Sequence, residues 1–322
     1  MSPKSNSTEP KATADEKVEQ YPPPAVGALT YNGYLKVHEL KQLQICQSDP
    51  AHHDEYLFII IHQTYELWFK LILHEIDSVF GLLDEGKIRR ATFYMKRAIE
   101  IMKLLVQQIH ILETMEPRDF LGFRYSLSPA SGFGSSQFRE IEFAAGARHA
   151  GLLEHFKTDP SYPTLKARYD APSIGDAFYA LLRRKGFKLP ESRSGSSEEE
   201  QEAIQAQRLQ ELLKLYIDED NYGELHDFAE TLVEFDELLF LWRAHHVIVV
   251  ERMIGFKRGT GGSEGVGYLQ STLNKRCFPD LWKLRTMLDQ PDGGAAESPM
   301  ERTAAKTETK GQPPAGGGCP FS

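Results

Sequence analysis

The chain has 322 residues, of which 41% are hydrophobic, and a formal net charge of -9, so it can bury a substantial core. The negative balance leaves no basic field to hold a nucleic-acid backbone or an anionic membrane surface, and neither is an expected partner. The cysteines, Cys46, Cys277 and Cys319, are widely spaced and odd in number, which fits a reducing compartment better than a disulfide framework.

Taken in chain order, residues 1 to 25 are polar and Pro-rich, carry no apolar segment of a secretory signal, and read as a disordered tail. No apolar run approaches the roughly 20 residues needed to span a bilayer, so the cytoplasm is the expected location. Asp49-Pro50 has the form of an N-cap followed by Pro at the first helical position, and the helical period then runs to Gly86. The middle of this helix, YLFIIIHQTYELWFKLIL, is apolar nearly all round and is expected to be buried on most faces. A second helix is predicted from about Ile88 to Met115, where Ala91, Met95, Ala98, Met102, Leu105, Ile109 and Leu112 recur three and four apart and form one apolar stripe.

Further helices are predicted over Ser136 to Ala145 and over Ser173 to Lys185, the latter opened by Ser173 with Asp176 three residues on and closed by Gly186. A polar loop at 191 to 201 leads into a helix over about 198 to 217, whose first turn carries Glu198, Glu199 and Glu200, where negative charge suits the helix dipole. Helices over about 221 to 256 and 280 to 289 complete the pattern, and residues 290 to 322 read as a second disordered tail. With no strand alternation and no Asn-Gly hairpin, the fold class is all-α, with a single domain over 26 to 289.

Most of the 11 histidines have ordinary readings: His110, His149, His155 and His226 sit among polar neighbours. His62 differs, because it follows three isoleucines and shares a helix face with Phe58 four residues earlier. A buried imidazole there needs a hydrogen-bond partner or a ligand, and a core histidine bonded to a neighbouring helix fits as well as a functional one. His245-His246 lies in a second apolar helix, FLWRAHHVIVVERMIGF. Adjacent helical residues point about 100° apart, so at least one of the two looks into the core. A neutral imidazole in apolar surroundings suits a haem ligand, and with no Cys-x-x-Cys-His the haem would be held non-covalently.

Two Gly-rich segments, LSPASGFGSSQFR and KRGTGGSEGVGY, offer backbone donors or simple turns. The second contains a formal G-x-S-x-G, but a long helix precedes it where an esterase elbow requires a strand, and a flexible lid is the better reading. Cys319-Pro320 resembles Cys-Pro haem ligands, although it lies in the expected tail.

The segments LTYNGYLKVHEL, HHDEYLFIIIHQTYELW, RDFLGFRYSLSPASGFGSSQFREIE, PSIGDAFYALLRRKG, LWRAHHVIVVERMIGFKRGTGGS and FPDLWKLRTML, in this order between about 29 and 289, resemble the tryptophan 2,3-dioxygenase family. The resemblance implies a helical bundle enclosing one haem b per subunit, with His246 as axial iron ligand, and L-tryptophan and O2 as substrates in a kynurenine-forming reaction. It further implies that His62 meets the indole N-H, that Phe58 packs on the indole ring and that Arg124 binds the substrate carboxylate. Ser131 and Gly132 would line the distal pocket, and Thr260 would contact the substrate from a closing loop. Tyr31 and Tyr34 match a segment that in the family reaches into a neighbouring subunit, so a homotetramer is implied. Gly134 stands where the family pattern has Gln, and Ala244-His245 precedes the implied ligand. A haem monooxygenase acting on a substituted tryptophan is the alternative reading, and a non-catalytic haem sensor a third.

Overall fold

The computed structural model describes residues 27–130, 132–191, 197–257 and 266–288. The two expected tails, residues 192–196 of the loop at 191 to 201, Ser131, Thr260 and Cys319-Pro320 lie outside those residues. The chain divides into two units, Met1–Ile45 and Cys46–Ser322. In the first, α1 (Tyr31–Leu35) is capped by Thr30, whose hydroxyl accepts from the Gly33 N-H at 3.1 Å, and Lys36 in the left-handed region separates it from α2 (Val37–Leu40). Neither helix has a buried residue.

The second unit contains α3 (His53–Asp84), α4 (Ile88–Leu112), α5 (Pro117–Arg124), α6 (Ser136–Ala145), α7 (Ala150–His155), α8 (Tyr162–Asp170), α9 (Ile174–Arg184), α10 (Glu198–Ile217), α11 (Glu219–Ile254), α12 (Val266–Ser271) and α13 (Pro279–Leu284). No strand occurs among the described residues, and the fold is all-α. The long helices carry the core: α3 packs on α4, α4 on α11, and α6 crosses α3, while α5 touches both α3 and α11. All seven residues of the predicted α4 stripe are buried. The expected capping box of Ser173 with Asp176 forms, and a second one joins Ser197 and Glu200, because each pairs a serine acceptor with a carboxylate that reaches back to the cap N-H.

The start of α3 differs from expectation. The Asp49-Pro50 peptide bond is cis, and the helix begins at His53 with His52 as N-cap, its Nδ1 accepting from the Asp54 N-H. Nor is the apolar middle of α3 buried all round, since Ile60 and Leu67 are exposed. The short helices α1, α2, α5, α7, α8 and α12, of four to nine residues, were not expected from the sequence. About two and a half turns or fewer hold too few positions for a 3.6-residue period to stand out, and such helices depend on tertiary packing.

A buried carboxylate fixes the chain just before α3. Glu55 accepts hydrogen bonds from the Gln47 N-H at 2.6 Å, the Ser48 N-H at 3.0 Å and the Ser48 hydroxyl, and so ties the preceding segment to the first turn of α3. Burial alone would raise its pKa, but these donors and the neighbouring His52 hold it below the ordinary carboxylate value. A depressed folded-state pKa contributes stability above the unfolded value that is lost as pH falls through the folded one. Glu55→Gln should therefore cost about 1–3 kcal/mol at neutral pH, and thermal unfolding should show the gap to the parent protein closing in acid. A gap independent of pH would refute this account.

Candidate functional site

A cavity of about 560 Å³ opens between α3, α5, α6 and α11, within the range of roughly 300–1,000 Å³ usual for small-molecule and cofactor sites. Its wall is mostly apolar and aromatic, with Phe58, Phe69, Phe120, Phe138 and Trp242, and a few polar side chains converge on it.

From α3 come Phe58, His62 and Glu66, each one helical turn after the last, so their side chains rise on one face. The Phe58 and His62 ring centroids are 4.0 Å apart, and the Phe58 ring also meets Phe120 and Phe123 at 5.8 and 5.7 Å. His62 Nδ1 lies 2.7 Å from the Phe58 carbonyl oxygen. A carbonyl only accepts, so Nδ1 carries the proton and Nε2 of the neutral ring is an acceptor. Burial lowers the His62 pKa, more than the Phe58 carbonyl and the Glu66 carboxylate raise it. Glu66 is held by Gln137 of α6, whose Nε2 donates to its carbonyl at 2.9 Å and to its carboxylate at 2.7 Å.

α11 settles the ambiguity of the adjacent histidines. His246 lines the cavity, whereas the His245 ring meets His110 of α4 edge-on at 5.3 Å. Burial, with the nearby His62 and Arg139 charges, pushes the His246 pKa down to about 4, so its imidazole is neutral at ordinary pH. Trp242, one turn earlier, stacks on it with ring centroids 5.2 Å apart and planes 13° from parallel, and Phe138 packs on the other side of Trp242 at 4.5 Å. The neutral His246 imidazole, stacked on an aromatic ring in a mostly apolar cavity, suits a non-covalently held haem. The cavity fits that group.

Arg124, the last residue of α5, is buried and lines the same cavity, with its guanidinium carbon 5.7 Å from the Tyr125 ring centroid. Gly132 lines it too. Phe58, His62, Arg124, Gly132 and His246, inferred from separate stretches of sequence, thus share one cavity. Tyr31 and Tyr34 belong to the N-terminal unit, where their side chains are exposed, and Ser131 and Thr260 are not among the described residues.

Several cavity residues escaped the sequence reading. Trp242 could have been found, since four residues before His246 places it on the same helix face. Arg139, Glu142 and Arg243, three buried charges on the cavity wall, read in sequence as ordinary polar positions.

A family model described as tryptophan 2,3-dioxygenase matches residues 17–189 and 192–288. Among curated relatives, the tryptophan 2,3-dioxygenase of Herpetosiphon aurantiacus is 44% identical over 261 residues, covering 81% of this chain and 99% of the relative. That of Nocardioides sp. is 44% identical over 266 residues, covering 81% and 95%. That of Myxococcus xanthus is 36% identical over 266 residues, covering 82% and 91%.

Proposed function

Because the chain belongs to the tryptophan 2,3-dioxygenase family, we propose that its cavity binds haem b through His246 and cleaves the indole C2-C3 bond of L-tryptophan with O2, giving N-formyl-L-kynurenine. The observation that carries this reading is the placement of a neutral His246, an acceptor His62 and a buried Arg124 in one aromatic cavity.

The protein's own part is binding, orientation and exclusion of water. His62 Nε2, left as an acceptor by the Nδ1 bond to Phe58, receives the indole N-H, while the Phe58 ring packs on the indole face. Arg124 offers a planar pair of donors to the amino-acid carboxylate, a geometry that a lysine ammonium does not reproduce. Gly132 lines the side on which the indole lies. His246 would hold the haem from α11. Haem, when bound, supplies the O2 chemistry that amino-acid side chains lack.

In this reading residues 26 to 289 act as one functional domain, and the protein works in the cytoplasm. No helix among the described residues is long and apolar enough to cross a membrane. The exposed Tyr31 and Tyr34 of α1 reach a neighbouring subunit's cavity, and the assembly is a homotetramer.

The reaction is tested with L-tryptophan, the reduced enzyme and isotopically labelled O2. Ring cleavage places both labelled atoms in N-formyl-L-kynurenine. A ring-intact product with a single labelled oxygen would overturn the dioxygenase reading in favour of monooxygenation.

A further inference from the structure

Two carboxylates stand among the described residues of the cavity wall, and they are held differently. Glu142 of α6 is shared between Arg139 and Arg243. Glu66 of α3, half-buried, forms no ion pair with any described residue; it is held by an amide. Gln137 of α6 donates from Nε2 to the Glu66 carboxylate at 2.7 Å and to the Glu66 carbonyl at 2.9 Å. An amide donor is neutral, so this clamp fixes the carboxylate in place without cancelling its charge.

Glu66 stands one helical turn after His62, and residues four apart on a helix have Cβ atoms roughly 5–6 Å from one another. Its carboxylate acts on the imidazole electrostatically and favours positive charge there. His62 already donates from Nδ1 to the Phe58 carbonyl at 2.7 Å. A ring that gives up one hydrogen bond and lies in the field of an anion becomes a better acceptor at its other nitrogen, because accepting a proton donor draws positive charge onto the ring. Phe58, His62 and Glu66 thus act along one face of α3, with Nε2 as the atom they expose to the cavity.

We propose that Glu66 is a positioning residue that acts through His62: its carboxylate, fixed by Gln137, strengthens Nε2 as an acceptor, so that the cavity selects aromatic amino acids whose ring donates an N-H over isosteres whose ring donates nothing. The inference rests on the reading in which His62 receives the indole N-H. Arg124 and Phe58 serve every aromatic amino acid alike, since a carboxylate and a planar ring are common to all of them. The pairing of His62 with Glu66 adds the demand for a ring donor.

Calorimetric titration of the ferric, haem-loaded full-length protein, without turnover, measures this with two ligands: L-tryptophan and its benzothiophene analogue, in which sulfur replaces the ring N-H. One hydrogen bond of this kind is worth up to about tenfold in affinity, so the parent protein should prefer L-tryptophan by about that factor. Glu66→Gln, equal in size but uncharged, should weaken L-tryptophan by about two- to fivefold and leave the analogue unchanged. In a His62→Ala background the same substitution should alter neither affinity. Glu66→Asp, which keeps a charge on the same helix face, should keep most of the parent's preference. Circular dichroism confirms the fold of each variant. A Glu66→Gln protein that retains the parent's full preference, or that binds both ligands more weakly by one factor, overturns the proposal. So does an equal loss of L-tryptophan affinity with and without His62, or a Glu66→Asp protein without the preference. If the parent protein binds the two ligands equally, it is the placement of the indole N-H on His62 that fails.

Discussion

His246→Ala should purify without haem and without measurable tryptophan turnover, because in the proposed reading His246 alone holds the iron in this cavity. His245 faces α4 and meets the His110 ring, so reaching the cavity would require turning α11 by about 100° against its packed neighbours. His62 lies on another helix, α3, and in the proposed reading its free Nε2 receives the indole N-H. The two control variants therefore behave differently: His245→Ala keeps its haem, and His62→Ala keeps its haem but turns over more slowly. Absorbance of the purified proteins, with circular dichroism to confirm the fold, decides the matter. A His246→Ala protein with full haem content and an unaltered spectrum would refute the assignment, and loss of haem from His245→Ala alone would transfer it to the neighbouring residue.

The second large effect is expected at Arg124. A bidentate charge-assisted contact is worth about 1.5–3 kcal/mol, so Arg124→Leu should weaken the apparent affinity for L-tryptophan by about ten- to a hundredfold while leaving the haem spectrum intact. Arg124→Lys should recover only part of the loss, because an ammonium keeps the charge but not the planar fork. Steady-state kinetics with L-tryptophan and with indole provide the check. Indole has no carboxylate to lose, so its already poor turnover should be nearly the same in the parent and in Arg124→Leu. A variant that handles L-tryptophan normally would show that the carboxylate is held elsewhere in the cavity.

The long elements were readable in advance because their information is local. The α4 stripe from Ala91 to Leu112 repeats every three or four residues, and a stripe of that kind can be satisfied only by a helix laid against a core. The cap signal at Ser173 is equally local, one hydroxyl facing amide groups within a single turn. His62 and His246 stood out for the same kind of reason, as imidazoles in runs too apolar to leave them idle. Asp49-Pro50 misled because its helix-opening pattern was overridden: Glu55 draws the Gln47 and Ser48 amides to itself, and the helix starts four residues after Asp49.

By itself, then, the sequence determined that this is an all-α protein, that Phe58 and His62 share one long helix and His246 rides on another, and, through motif resemblance, the family and its chemistry. Periodicity and capping act over one or two turns, and motifs are strings. Which of His245 and His246 faces the cavity was decided only by the tertiary structure, because it depends on how α11 is turned against α3, α4 and α6. The same holds for the meeting of Arg139 and Arg243 over Glu142, residues 101 positions apart in the case of the Arg243 bond. Buried charges from distant segments become a cluster only when packing removes the water between them, and nothing in the local pattern around either arginine records that it will have a partner.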